Sequence, residues 1–312
     1  MNARPRALVV LNPLAHGGTA TRRFEAIRSE MHARLDPTIV VTHPDSAWHA
    51  DVQAALDDGV RLFVAAGGDG TAHLLLNVLI AAPRRPPLAE LALGAVGLGS
   101  SNDLHKPVRR RIKGVPIRLD RDNGAPRDVV CCEYRDDATL HTAYFLVSAS
   151  LGCIACANER FARQVGAARM LRRLSAAAGI AWASICTVAT WRDLPARLRV
   201  DGGAIEHIRV TSLSVLKTEW LSGPLRFGHS VDPASGDFDV ALAEAGSRLR
   251  LGADVVAMMF GRFDGRVGHR RFRARSLDVF LDQASFLELD GETVDAREAR
   301  FSIHTERIRL CA

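Results

Sequence analysis

Five consecutive residues, Gly67-Gly68-Asp69-Gly70-Thr71, carry the strongest chemical signal in this 312-residue chain. Glycines have no Cβ, so their backbone amides can approach a ligand closely and adopt positive φ. When a helix follows, its free N–H groups complete a cradle suited to phosphate. Asp69 does not fit a bare anion cradle, because a carboxylate repels phosphate. A metal ion or a hydroxyl between them removes the conflict, and both point to phosphoryl transfer.

Other polar loops stand near in kind. Asn12-Pro13-Leu14-Ala15-His16-Gly17-Gly18 is a glycine-rich turn ahead of a helix, and Thr42 offers a hydroxyl at the end of an apolar run. Gly97-Leu98-Gly99-Ser100-Ser101-Asn102-Asp103 gathers two glycines, two hydroxyls, an amide and a carboxylate. An Asx-type turn competes as the explanation of Asn102 and Asp103. Far along the chain, Leu289-Asp290-Gly291-Glu292 reads first as a hairpin turn, because Asp-Gly supplies positive φ. Its two carboxylates are neighbours as well. Such neighbours tend to raise one pKa, which suits Glu292 to take a proton from a hydroxyl.

The elements that must position these loops follow from periodicity. Residues 7–11, 38–42, 62–66 and 93–97 read as strands, separated by helices over 21–34, over 47–56 and from Ala72 onward. Phe24, Ile27, Met31 and Leu35 are spaced for one helix face. This alternation predicts a parallel sheet covered by helices, with ligands bound at the carboxyl ends of its strands. From about Ala125 the pattern changes. Strands are expected at 129–134, 139–147, 196–200, 205–216, 238–243, 271–281, 286–289 and 301–310, with helices over 167–191 and 249–260. That half reads as a β-sandwich. An α/β first domain over 1–124 and a β-rich second domain over 125–300 is the expected division.

Composition is that of an ordinary globular protein, 47% hydrophobic and 24% charged, with a net charge of +6. No apolar run approaches the roughly 18 residues of a membrane span. The basic start leads directly into a strand and offers no cleavage site, so a cytoplasmic protein is expected, one able to touch the inner membrane face peripherally. Arg109-Arg110-Arg111-Ile112-Lys113 and the trio Arg169, Arg172 and Arg173 are either solvated surface or attractive to anionic lipid, at about 1 kcal/mol per basic residue. Nucleic acid is not expected as a partner, because no aromatic residues interleave with the basic runs. The six cysteines form no disulfide framework. Cys153 and Cys156 have zinc-like spacing but no completing ligands, and read as reduced structural thiols. Oligomeric state is unreadable, and a homodimer stays open.

Taken in order, the loops resemble the diacylglycerol kinase catalytic domain family, which includes bacterial lipid kinases and the sphingosine and ceramide kinases. The resemblance spans nearly the whole chain. Asn12-Pro13 with Gly17-Gly18 is similar to the family's first nucleotide loop, and Gly67 to Thr71 is its GGDGT signature. Gly99 to Asp103 is similar to its G-T-x-N-D loop, and Leu289 to Glu292 to its L-D-G-E. The resemblance implies an NAD kinase-like α/β domain plus a β-sandwich, ATP in the cleft between them, and a last strand over 301–312 returning to the first domain. It places Asn12, Pro13, Gly17, Thr42, Gly67, Gly68, Asp69, Gly70, Thr71, Ser100, Asn102 and Asp103 around ATP. Asp69 would organise Mg²⁺ and water, and Glu292, supported by Asp290, would deprotonate the hydroxyl of diacylglycerol or a related lipid.

Some positions depart from the family pattern. Ser100 replaces a threonine, and Ser148 stands where many relatives carry asparagine. A structural magnesium loop of the family corresponds here to Asp232-Pro233-Ala234-Ser235-Gly236-Asp237, with Ser235 in an expected carboxylate position. Asp232, Ser235 and Asp237 are the candidate metal ligands there. Two other readings stand: an NAD kinase-like phosphotransferase, which shares GGDGT, and a non-catalytic nucleotide or lipid sensor.

Overall fold

Residues 4–163, 176–244 and 246–312 are described by the computed structural model. Arg169, Arg172 and Arg173, and the start of the helix expected over 167–191, lie outside the described residues. The chain divides into two compact units, Met1–Val129 with His304–Ala312, and Val130–Ile303.

In the first unit, β1 (Arg6–Leu11), β2 (Asp36–Val41), β3 (Leu62–Gly67) and β4 (Ala92–Gly97) are short, apolar strands. All residues of β3 and β4 are buried, as strands covered on both faces must be. They pair in parallel in the order β2-β1-β3-β4, with Leu8 opposite Thr38, Val9 opposite Val64 and Val64 opposite Gly94. Beyond β4, Arg309 and Leu310 of the last strand add in parallel opposite Ala92 and Leu93, and β5 (Val115–Arg118) pairs antiparallel. Glu306 pins that last strand, accepting from Arg85 at 2.6 Å and from the Leu88 N–H at 2.7 Å.

Helices α1 (Ala20–His32), α2 (Trp48–Asp57) and α3 (Asp69–Ala81) connect the strands. Phe24, Ile27 and Met31 of α1 recur every three or four residues and are fully buried with Val9, Val64 and Val96. Each such side chain contributes about 1.5–3 kcal/mol. Helix α3 begins inside the glycine motif, three residues before the apolar pattern predicts. Gly68 is its extended N-cap, and the first turn is polar because it forms part of the candidate site.

The second unit is antiparallel. It contains β6 (Ala125–Arg135, entering from the first unit), β7 (Leu140–Phe145), β8 (Ser148–Gly152), β9 (Leu194–Val200), β10 (Ile205–Leu216), β11 (Phe238–Glu244), β12 (His269–Ala274), β13 (Ser276–Leu289) and β14 (Glu292–Leu310, whose end from His304 belongs to the first unit). Strands β8 and β9 lie one after the other between β10 and β13. Helices α4 (Cys153–Arg163), α5 (Ala176–Thr190) and α6 (Arg248–Met259) belong to this unit. Its main core gathers Phe145, Leu213, Val215, Phe238 and Phe301, with the Phe145 and Phe301 rings edge to face.

Several boundaries differ from the sequence reading. The single strand expected over 139–147 is two strands, parted where Leu146 and Val147 turn their amides to Asp290. The last strand starts at Glu292 rather than 301, because β13 and β14 form one long hairpin. Its register shifts between Phe280 and Ser285, and that irregularity hides the alternation. Cys153 lies at the start of α4 and is buried, which pushes its thiol up to about 12, so it is an inert structural thiol.

Candidate active site

The polar loops of the first unit meet at the carboxyl ends of β1, β3 and β4. Asn12 leaves β1 with its N–H on the Ala66 carbonyl, 3.0 Å. Its side chain reaches both ways, accepting from the Leu14 N–H at 3.0 Å and donating to Thr71 Oγ1 at 3.1 Å. Thr71, the last residue of the glycine motif, is buried, so this amide locks the first loop to the second. Thr42 joins the same edge through its N–H on the Leu11 carbonyl, 2.9 Å. Gly17 and Gly18 both have positive φ in an exposed turn before α1.

Gly68 and Gly99 touch backbone to backbone. A Cβ on Gly99 would stand 2.4 Å from the Gly68 Cα, so only glycine permits this approach. Both N–H groups of Leu98 and Gly99 donate to the Gly67 carbonyl, at 2.7 and 3.1 Å. Asn102 sits in the left-handed region and folds its amide back on Gly99, accepting from its N–H and donating to its carbonyl at 3.0 Å each. The amide reaches three residues back rather than two on, so it closes the Gly99 loop without forming the expected Asx-type turn. Ser100 is left exposed at the tip.

Asp69 resolves the oddity of a carboxylate in an anion cradle. Its two oxygens accept the N–H groups of Asp103 and Leu104, both at 2.9 Å, at the start of a helical turn over Asp103–His105. Negative charge at those free amides is favourable. Asp69 is thus a strap between the glycine motif and the Gly99 loop. Asp103 is buried and receives Lys106 Nζ at 2.6 Å. Below them His105 is buried under Gly97, and its Nδ1 has no hydrogen-bond partner among the described residues. Burial, with the Arg118 and Arg111 charges, lowers its pKa to about 3.

The second unit holds the other carboxylate pair. Asp290 and Gly291, at φ 48° and 95°, make the two-residue turn of the β13–β14 hairpin. Asp290 is also buried, and its carboxylate accepts three backbone N–H groups: Leu146 and Val147 at 2.9 Å and Ser148 at 3.0 Å. Its own N–H returns to the Ser148 carbonyl at 2.9 Å. Both sequence readings of this turn hold at once, since the hairpin exists and a buried carboxylate fixes it. Glu292 projects exposed from the fixed corner. Next to it, Thr293 donates to Glu159, which also receives Arg163. Asn158 accepts from Ser222 at 3.1 Å.

Within α4, α5 and α6 of the same unit lies an apolar pocket open to solvent, lined by Ile154, Phe161, Ile180, Val188, Val255 and Met258 among others. Asn158, Ser184, Thr187 and Ser222 are among its polar members. Asp232, Ser235 and Asp237, the candidate metal ligands, instead surround the ammonium of Lys217, a residue the sequence reading did not single out. Its one sequence signal is a lysine directly after the apolar pair Val215-Leu216 that ends a strand. Arg23 was also missed; it reaches from α1 to the Leu98 carbonyl at 3.1 Å. Among the described residues, no cluster of three His, Cys, Asp or Glu side chains is arranged to hold a metal, and no helix is long and apolar enough to cross a membrane.

Residues 6–120 match the diacylglycerol kinase catalytic domain, and residues 152–312, over half the chain, match the YegS C-terminal NAD kinase beta sandwich-like domain. Among curated proteins no sequence match is found. Two solved structures of candidate diacylglycerol kinases from Bacillus anthracis strain Sterne cover 100% of this chain and 98% of their own, with TM-scores of 0.71 and 0.70 and identities of 17% and 18%. An NAD kinase from Archaeoglobus fulgidus, solved with ATP, matches at TM-score 0.46 and 16% identity over 98% of this chain and 93% of its own. Identities this low speak for the fold alone. The chain belongs to the family that joins a diacylglycerol kinase catalytic domain to a YegS-type C-terminal β-sandwich domain.

Proposed function

We propose that the protein is an ATP-dependent lipid kinase, transferring the γ-phosphoryl group to a hydroxyl of diacylglycerol or a related lipid. The observation that carries the reading is the rigidly fixed Asp290 turn presenting an exposed Glu292, in a unit that also holds an apolar pocket. A nucleotide-only acceptor gives that pocket no role, whereas an acyl chain would find an apolar surface there. Its lining, apolar side chains with a few polar groups, is of the kind that takes apolar ligands.

In this reading the amides of Gly67 to Thr71 and the Gly99 loop hold the nucleotide phosphates, with Ser100 and Thr42 offering hydroxyls. Asp69 holds the two loops in register through Asp103 and Leu104. Magnesium, if carried with the nucleotide, would supply charge neutralisation at the phosphates. Glu292 accepts the proton of the lipid hydroxyl. The freed oxygen bonds to the γ-phosphorus while the bond to the bridging oxygen breaks, and ADP leaves. Positioning and charge stabilisation do most of the work in such transfers. The exposed Arg109, Arg110, Arg111 and Lys113 would draw the enzyme peripherally to an anionic inner membrane face.

Labelled ATP offered with a panel of diacylglycerol, sphingoid base, ceramide, phosphatidylglycerol and NAD tests the reading. Label in a lipid supports it. Label only in NAD replaces it with an NAD kinase. ATP binding with no transfer to any acceptor makes the chain a sensor.

A further inference from the structure

Lys217 follows β10, whose final residues Val215 and Leu216 are fully buried. The lysine itself is only 1% exposed. A buried ammonium needs acceptors for its three N–H groups, or the charge is costly to keep. One loop supplies them: the carbonyls of Asp237 at 2.6 Å and Asp232 at 3.1 Å, and the Ser235 hydroxyl at 3.4 Å.

The loop is built around that centre. Ala234 N–H donates to Asp232 Oδ1 at 2.9 Å, Ser235 Oγ donates to Asp237 Oδ1 at 2.6 Å, and Gly236 takes φ 77°. Arg273 closes the outer side on Asp237 Oδ1 at 2.6 Å. Burial would raise the Asp237 carboxyl, yet hydrogen bonds from Ser235 and Arg273 and the Arg273 and Lys217 charges bring it below its ordinary value. Oxygens of one short loop converging on one positive centre is how proteins hold hard cations.

The centre does not fit a metal ion. Magnesium needs oxygens at about 2.0–2.1 Å and calcium at about 2.3–2.6 Å. Here the space is filled by nitrogen at hydrogen-bond lengths, and the position where the family resemblance implies a carboxylate is the neutral Ser235. The candidate metal ligands Asp232, Ser235 and Asp237 are therefore better described as the acceptors and bracing of an ammonium.

We propose that Lys217 is a tethered cation which replaces a metal ion at the 232–237 loop and keeps this part of the fold independent of divalent ions. The site is not isolated. Lys217 N–H donates to the Val147 carbonyl at 2.9 Å, and Val147 N–H donates to Asp290 at 2.9 Å. The tethered cation thus braces the segment that holds the Glu292 corner. Nothing in this inference depends on which acceptor the protein phosphorylates.

Thermal unfolding of the full chain without nucleotide, in chelator and in millimolar MgCl₂ or CaCl₂, tests it. The wild type melts at the same temperature in all three, within about 1 °C, whereas a lost buried partner lowers Tm by about 6 °C or more in Lys217→Met. Ser235→Asp keeps the lysine and folds; it adds a carboxylate facing an ammonium, so its Tm is insensitive to chelator. A wild type stabilised by several degrees on adding either ion overturns the proposal. So does a Ser235→Asp protein whose melting requires divalent ions, or a Lys217→Met protein that melts with the wild type. Should Lys217→Met not fold, the wild-type and Ser235→Asp measurements decide.

Discussion

Asp69 and Asp290 are both signature carboxylates, and both are occupied by backbone amides, but the two units use them differently. Asp69 is half-buried and straps two loops together through two N–H groups. Asp290 is fully buried and holds three N–H groups of one chain segment while itself forming a turn. In neither case is the aspartate the group left facing solvent. Ser100 in one unit and Glu292 in the other are exposed beside them. Charge at the two motifs thus divides into carboxylates that set geometry and polar groups that can meet a substrate.

The largest difference between the two straps should appear on deletion. Asp290→Ala leaves three buried N–H groups without a partner, each costing about 1–3 kcal/mol. The expected result is a Tm lower by about 6 °C or more, with kinase activity lost alongside. Asp69→Ala should cost about half as much, because water can reach amides at a half-buried site. Equal losses in denaturant unfolding would mean that burial does not distinguish the two.

Next in size is the contrast between strap and reactive group. Glu292→Gln should lower kcat by about 10²–10⁴ as for a lost general base, with Tm and nucleotide affinity unchanged. Steady-state kinetics beside thermal unfolding checks this. Turnover unchanged in Glu292→Gln removes Glu292 from the reaction.

How much of this arrangement was legible beforehand differs between the units for a physical reason. In the first unit the strands are short, uninterrupted apolar runs, and each site loop directly follows one, so sequence order and spatial order agree. In the second unit the critical contacts span large separations. Nothing local in Leu146-Val147-Ser148 announces that their amides bind Asp290, over 140 positions away. The Asp-Gly turn was legible, but its anchoring was not. Lys217 was opaque for the same reason, since its two shorter contacts are to carbonyl oxygens, which no side-chain motif records. The long β13–β14 hairpin was broken in the reading by its register shift and by the charged run from Asp295 to Arg300.

Acid should separate the units as well. His105 lies next to Leu104, whose N–H Asp69 holds, and burial lowers its pKa to about 3. Above about pH 6.5 the histidine is neutral in folded and unfolded chains alike, and it adds no pH dependence. Below that, the unfolded chain takes up a proton the folded one refuses until about pH 3, so stability falls with pH across this window. At pH 5 the loss is about 2 kcal/mol. Protection of the Asp103 and Leu104 amides, taken relative to their intrinsic exchange rates, should fall between pH 6.5 and 4, and His105→Gln should flatten the trend. Protection equally acid-sensitive in His105→Gln would place the titrating group elsewhere.

The smallest effect compares glycines. Gly99 and Gly291 both belong to motif turns, yet they are required for opposite reasons. A Cβ on Gly99 meets the Gly68 Cα at 2.4 Å, a backbone atom that cannot step aside without moving the glycine motif. A Cβ on Gly291 meets nothing within 4 Å, and only its φ of 95° resists substitution. Gly99→Ala should therefore part the two loops and raise the KM for ATP about tenfold, or about 1.4 kcal/mol. Gly291→Ala should leave KM for ATP alone and cost about 1 kcal/mol of stability through backbone strain. Measuring both variants by the same two assays tests whether close approach and turn conformation are separable demands. A Gly99→Ala enzyme with unaltered KM would show that the nucleotide does not rest on the contact between the two loops.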